Sequence, residues 1–323
     1  MKKQNKTLLE ILGSCVFTLS GIYAVNKIIF SIAQGKSHLF SSESELYKHK
    51  HGNIHYTVSG SGSPLLLIHE LDSSSSSYEW HEVISDFSKN HTVYALDLLG
   101  CGFSSKPAIT YTSYLYTQLI HDFIKDVICD VPDIIATGIS SSLVVMTEKM
   151  HPGTIGKMLF VNPADFEEAS HYPTEMDMYQ KKLLDSPIIG TAIYNLYHSK
   201  AALLKRFCSD FLNSDSKNHV KYLRRYHEAA HLGGSSSKYL FSSLKCHYFG
   251  CNIENSYSSI TNSICVILGE EMDSTIDMAD YSVCLNPNTE VAIIPNSKYL
   301  PQIDASEAFF DVCNTFLTEG TIE

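Results

Sequence analysis

Histidine is missing from the end of this chain. Fifteen His occur among 323 residues, and the last of them is His247. Arginine is scarce as well, with Arg206, Arg224 and Arg225 as the only three. Lys and Arg total 24 against 35 Asp and Glu, a formal charge of −11, and no basic cluster stands out. Nucleic-acid binding is driven by counterion release to clustered cations, so nucleic acid is excluded as a partner. Nine Cys are present without a CxxC pair, which excludes a thioredoxin-type dithiol and a zinc ribbon. Their odd number and loose spacing predict reduced, individually buried thiols. With 44% apolar and 18% charged residues the chain is globular rather than disordered. Its length suits one large α/β domain with an insertion, or two small domains.

What is there is unevenly spread. Residues 1–50 carry seven Lys against Glu10, Glu43 and Glu45, whereas residues 252–323 carry twelve acids against Lys298 alone. At the N-terminus, Lys2, Lys3 and Lys6 precede a stretch over 7–25 whose only charge is Glu10. A membrane span needs about 20 apolar residues and a signal-peptide core about 7–15. Residues 1–36 are therefore read first as a membrane anchor or signal-like helix. A cleaved signal peptide and an amphipathic helix lying on a membrane or on the domain are the alternatives. The leading Lys favour a cytoplasmic N-terminus and the free thiols a reducing compartment, so the side of the membrane stays open.

From residue 47 onward, strand-like and helix-like segments alternate, the pattern of an α/β fold with a mostly parallel sheet. Residues 47–49 and 53–58 read as a hairpin. Strands are expected at 65–68, 92–98, 133–137, 155–161, 264–268 and 290–294. Helices are expected at 80–87, 111–129, 141–150 and about 305–317. The run Leu65-Leu66-Leu67-Ile68 is apolar throughout, as in a strand buried on both faces. Residues 73–77, all Ser, read as a polar loop. Between 166 and 249 the pattern is helical without a strand, so these residues form an expected helical cap insertion in a core of residues 37–165 and 250–323.

Three motifs follow successive strands, at the ends where open parallel sheets bind ligands. They are His69-Glu70-Leu71, then Asp97-Leu98-Leu99-Gly100-Cys101-Gly102-Phe103-Ser104, then Gly138-Ile139-Ser140-Ser141-Ser142. The third has small residues flanking a hydroxyl between a strand and a helix, the requirement of a sharp turn that aims a nucleophile outward. A dinucleotide loop at Gly100 and Gly102 is rejected, because Ser105 stands where a third Gly is needed.

In this order the motifs resemble the α/β-hydrolase superfamily, in the capped branch that includes esterases, lipases, epoxide hydrolases and C–C hydrolases. The resemblance spans residues 47–165 and 260–317. It implies Ser140 as nucleophile and the N–H groups of Leu71 and Ser141 as oxyanion donors. It places His69 and Glu70 against the substrate and implies neither metal nor cofactor. The expected ligand is a small apolar or ester-containing molecule.

The same resemblance exposes departures. Triads of this fold run Ser, acid, His along the chain. Tyr299, in Pro295-Asn296-Ser297-Lys298-Tyr299-Leu300-Pro301, stands where His belongs. A phenol with a pKa near 10 is only about 0.1% ionised at pH 7, a poor base for a Ser hydroxyl. Asp273 and Asp165 are the candidate acids. Glu70 replaces a Gly and brings a carboxylate toward the oxyanion site. His227, His231 and His247 in the insertion are candidate substitute bases. Three readings stay open: a serine hydrolase with a rearranged base, a non-catalytic protein that binds an apolar ligand or a protein partner, and a membrane-tethered structural or interaction module whose pocket is filled by side chains.

Overall fold

The computed structural model describes residues 2–34, 44–166, 170–213, 216–273 and 275–318. Residues 37–43 of the expected core, 167–169 and 214–215 of the expected insertion, and 319–323 lie outside them. Eight strands form one sheet: β1 Ser44–His49, β2 Gly52–Gly60, β3 Ser63–Ile68, β4 His91–Leu96, β5 Asp133–Thr137, β6 Met158–Val161, β7 Ile264–Gly269 and β8 Thr289–Ile294. Their spatial order is β1-β2-β4-β3-β5-β6-β7-β8. The β1–β2 and β2–β4 pairs are antiparallel and all others parallel.

Side chains alternate across a strand, so each apolar run feeds two layers. Leu66 and Ile68 join Ile134, Ala136 and Phe160 on one face. Leu65 and Leu67 join Ile135, Leu159 and Ile267 on the other. The first layer is covered by helices α2 (Ser113–Phe123) and α3 (Ile139–Met150). Helix α2 starts where the Thr112 hydroxyl accepts the Leu115 N–H, and it buries Leu115, Leu119 and Phe123 at helical spacing. Each such side chain contributes about 1.5–3 kcal/mol on burial. Cys129, left-handed at φ 57°, ends the wider turn that follows α2.

Between β6 and β7 come helices α4 (Glu175–Leu184), α5 (Ile189–Tyr197), α6 (Lys200–Arg206), α7 (His219–His231) and α8 (Lys238–Lys245). Helix α4 is opened by a capping box in which Thr174 and Asp177 exchange hydrogen bonds of 2.8 and 3.3 Å. After β7 come α9 (Thr275–Leu285), β8 and finally α10 (Ser306–Thr318).

Helix α1 spans Lys2–Gln34 and includes an apolar stretch, Val16–Ala33, long enough to cross a membrane by length and composition. Its residues Val16, Phe17, Tyr23 and Val25 are exposed. From Asn26 onward it docks. Asn26 donates to the Ile188 carbonyl at 3.2 Å and accepts from Asn195 at 2.9 Å, and Phe30 packs with Tyr194 and Phe241.

Several expectations shift. The helix at 80–87 is a tight turn, Ser77–Trp80, then one helical turn, Ile84–Phe87. The strand at 155–161 begins only at Met158, because the Ile155 N–H is taken by the Glu148 carboxylate at 3.0 Å. Helix α9 was not anticipated. The Ser73–Ser76 run is buried rather than solvated. Eight described Cys are free, yet Cys129, Cys208 and Cys284 are exposed rather than individually buried.

Candidate functional site

Strands β3, β5 and β8 deliver three segments to one place. Gly138 leaves β5 at φ 56° and ψ −126°, a backbone conformation that Gly adopts without penalty. A Cβ there would lie 1.5 Å from Glu70 Oε2 and 2.1 Å from Tyr299 Oη. The Glu70 carboxylate and the Tyr299 phenol therefore rest directly on the turn that carries Ser140. Tyr299 donates a hydrogen bond to Glu70 Oε2.

Ser140 is fully buried in the first turn of α3, one residue into the helix rather than before it. Its hydroxyl donates to the His69 carbonyl at 2.7 Å. Ser141 turns inward too: its hydroxyl donates to the Ala136 carbonyl at 3.0 Å and its N–H to the Gly138 carbonyl at 3.1 Å. Leu71 is buried.

A second carboxylate, which no motif signalled, lies beneath the first. Glu79 accepts from the Glu70 N–H at 3.2 Å, from Gln302 at 2.8 Å and from the Tyr226 hydroxyl at 3.4 Å. Gln302 also donates to the Thr137 hydroxyl at 3.3 Å. Burial pushes the Glu70 carboxyl up to about 8, with Glu79 and Asp72 adding to the rise and the Tyr299 hydroxyl opposing it. Burial likewise pushes Glu79 up to about 7, against the donors around it. Tyr299 is driven well above its ordinary value by burial and then by Glu70, so it is a committed donor and no base. The only advance hint of Glu79 was a lone acid between the Ser run and Trp80.

The remaining candidates lie elsewhere. His69 hydrogen-bonds the Glu70 carbonyl through Nδ1 at 2.7 Å and accepts the Leu98 N–H at Nε2 at 3.1 Å. One ring nitrogen thus braces the loop after β3 on itself and the other ties it to the segment after β4, and burial lowers its pKa and keeps it neutral. Asp273 and Asp165 are both exposed, and the acid bonded to Tyr299 is Glu70 instead. The loop after β3 brings Glu70 over Gly138, whereas Asp165 and Asp273 are exposed residues. Among the insertion His, His231 bonds the His227 carbonyl at 2.7 Å and His247 pairs with Asp177 at 3.2 Å. His198, not anticipated, bonds the Ser73 hydroxyl at 3.1 Å and so ties the insertion to the loop after β3.

The Asp97 motif is structural. Its carboxylate lies 2.9 Å from His55 Nδ1 and accepts from the N–H groups of Ser77 and Phe103 at 2.7 and 2.8 Å. These bonds hold its pKa well below the usual range despite burial. A Cβ on Gly102 would strike this carboxylate at 2.2 Å, which accounts for the second Gly of the motif.

Residues 59–312 match the model of the Alpha/beta hydrolase family. Over 71 residues the chain is 38% identical to a 2-hydroxy-6-oxo-6-(2'-aminophenyl)hexa-2,4-dienoic acid hydrolase of Metapseudomonas resinovorans, covering 22% of this chain and 24% of that protein. Over 54 residues it is 46% identical to a soluble epoxide hydrolase of Corynebacterium sp. (strain C12), covering 17% and 18%. The aligned stretches thus span a quarter or less of these relatives. Among solved structures, the enol-lactonase from Burkholderia xenovorans LB400 superposes with TM-score 0.68 at 14% identity, covering 85% of this chain and all of that one. A membrane phospholipase A superposes with TM-score 0.67 at 17% identity, covering 98% of each. At these identities the structural likeness is one of fold.

Proposed function

The chain belongs to the alpha/beta hydrolase family, and from that premise we propose a membrane-tethered member that binds a small apolar or ester-containing molecule without hydrolysing it. One observation carries the reading: Tyr299 donates to Glu70 directly over Gly138, where a serine hydrolase needs a base and an oxyanion site. A Ser nucleophile requires a base within about 2.6–3.2 Å, and the Ser140 hydroxyl is committed to a carbonyl. The Glu70 carboxyl, pushed up to about 8, is mostly neutral at pH 7, and only its ionisation above that pH would oppose the charge that develops in acyl transfer. Loss of the base in a serine protease costs about a million-fold in kcat, leaving only binding and oxyanion stabilisation. In this reading residues 166–249 act as the cap over the strand ends, and α1 is the tether.

A second reading, hydrolysis with a rearranged base, draws on Glu70, whose carboxyl titrates near neutrality beside the turn. Fluorophosphonate labelling and a panel of short acyl esters separate the two. Binding without hydrolysis predicts no labelling of Ser140 and no turnover that Ser140→Ala abolishes. The double variant Glu70→Gly, Tyr299→His restores both small residue and base, and should gain labelling. Ser140-dependent turnover by the unaltered chain at about 1 s⁻¹ or faster overturns the binding reading.

A further inference from the structure

A cavity of about 620 Å³ lies between α1 and the helical insertion, away from Ser140. Helix α1 contributes Tyr23, Lys27 and Phe30, and the insertion contributes Thr191, Lys238 and Tyr239. The chemistry is lopsided: two cations and several aromatic rings line it, and no acidic side chain among the described residues does.

Lys238 is the telling residue. It is only 3% exposed, yet its ammonium reaches no carboxylate within ion-pair distance among the described residues. It donates to the Thr191 hydroxyl at 3.0 Å and lies 5.2 Å from the Tyr239 ring centre. Asp185 acts on Lys238 from beyond ion-pair distance, and its carboxylate is engaged by Lys181 at 2.8 Å. An ammonium has three donors, and burying it with one hydroxyl acceptor and a shared, more distant carboxylate is costly unless an anion completes the site. Lys27 supplies a second positive charge from the facing helix, 5.8 Å from the Tyr23 ring.

Position along α1 identifies the anion. The helix exposes Val16, Phe17 and Val25, then docks on the insertion through Asn26 and Phe30. The cavity opens where the stretch over 7–25 gives way to the part of α1 docked on the insertion, so in this reading the membrane takes 7–25 and not the whole of Val16–Ala33. Aromatic and cationic side chains at such a boundary sit at the level of lipid head groups. We propose that this cavity binds the head group of an anionic membrane phospholipid, with its phosphate between Lys238 and Lys27 and its acyl chains along the exposed side of α1. The proposal rests on the tether reading of α1.

The test uses the full-length chain in nanodiscs of phosphatidylcholine, with and without phosphatidylglycerol, followed by native mass spectrometry of retained lipid. Phosphatidylglycerol should be retained in preference to phosphatidylcholine. Lys238→Gln and Lys27→Gln should each lower that retention about tenfold or more, the worth of a hydrogen bond to a charged group. Lys182→Gln, a change of equal charge elsewhere on the insertion, should leave it unaltered. Equal retention of both lipids overturns the proposal, as does undiminished retention in the exposed-site variant Lys27→Gln together with a folded Lys238→Gln. Displacement of phosphatidylglycerol by inorganic phosphate at equal concentration would overturn the lipid assignment. A chain that fails to enter phosphatidylcholine nanodiscs overturns the tether instead. Monomeric dioctanoyl phosphatidylglycerol, titrated against the chain and Lys238→Gln, then still decides the cavity: a tenfold difference supports it and none removes it.

Discussion

At the scale of single residues, the site turns on what occupies the space above Gly138. A side chain there would meet Glu70 and Tyr299 at 1.5 and 2.1 Å and would also adopt a positive φ. Gly138→Ala should therefore cost about 2–5 kcal/mol from overpacking and backbone strain together, measured by urea unfolding. In a Glu70→Gly background the cost should shrink, because the nearest obstructing atom is gone. Fully additive losses would contradict the contact. Ser140, Glu70 and Tyr299 could all be named from the sequence, since strand ends and motif order fixed their positions along the chain. Their partners could not. The Tyr299–Glu70 bond joins residues 229 apart in sequence, and Glu79 falls between the expected loop at 73–77 and the expected helix at 80–87.

At the scale of elements, α1 has two characters along one helix. Its exposed apolar part matches what hydropathy indicated, while Asn26 and Phe30 bind it to the insertion. Phe30 packs against Tyr194 and Phe241, and its ring centre lies 5.4 Å from that of His231. Phe30→Ala should remove about 3–5 kcal/mol of packing. The loss should be local: hydrogen exchange should accelerate in α5 and α7, which α1 touches, and stay unchanged in β3 and β5. Uniform acceleration would mean that insertion and sheet unfold together. The strands were legible because uninterrupted apolar runs mark parallel strands buried on both faces. Helix α9 was not, because its polar and apolar residues show little periodicity; among its side chains Thr275, Met278 and Ser282 are buried.

At the scale of the whole molecule, the buried carboxyls set a pH dependence. Glu70 titrates near 8 in the fold against an ordinary 4.5, and Glu79 near 7. Both folded values are raised, so the unfolded chain releases these protons first and stability falls as pH rises between the two values. Buried His69 has the opposite sign, its lowered pKa favouring the fold as pH rises, but that gain is complete above about 6.5. Lys106, lowered to about 8, acts only above that pH. Between pH 6.5 and 8 the chain should therefore lose about 1.5 kcal/mol per pH unit, or roughly 3–6 °C in Tm. Thermal melts of Glu70→Gln should show a clearly shallower slope, and an equal slope would place the titrating group elsewhere.

The sequence places its last His at 247 and Tyr299 in the segment after β8, so any His base would have to come from an earlier part of the chain. The sequence also determined the alternation of strands and helices, since apolar periodicity is a local property. Only the tertiary structure decided what fills the space left behind. Packing brings Tyr299, Glu70, Glu79 and Gln302 together from distant segments, and their burial sets their protonation. It also decided that α1 leans on the insertion and leaves Lys238 facing a cavity between them, an arrangement that depends on docking and that no local pattern encodes.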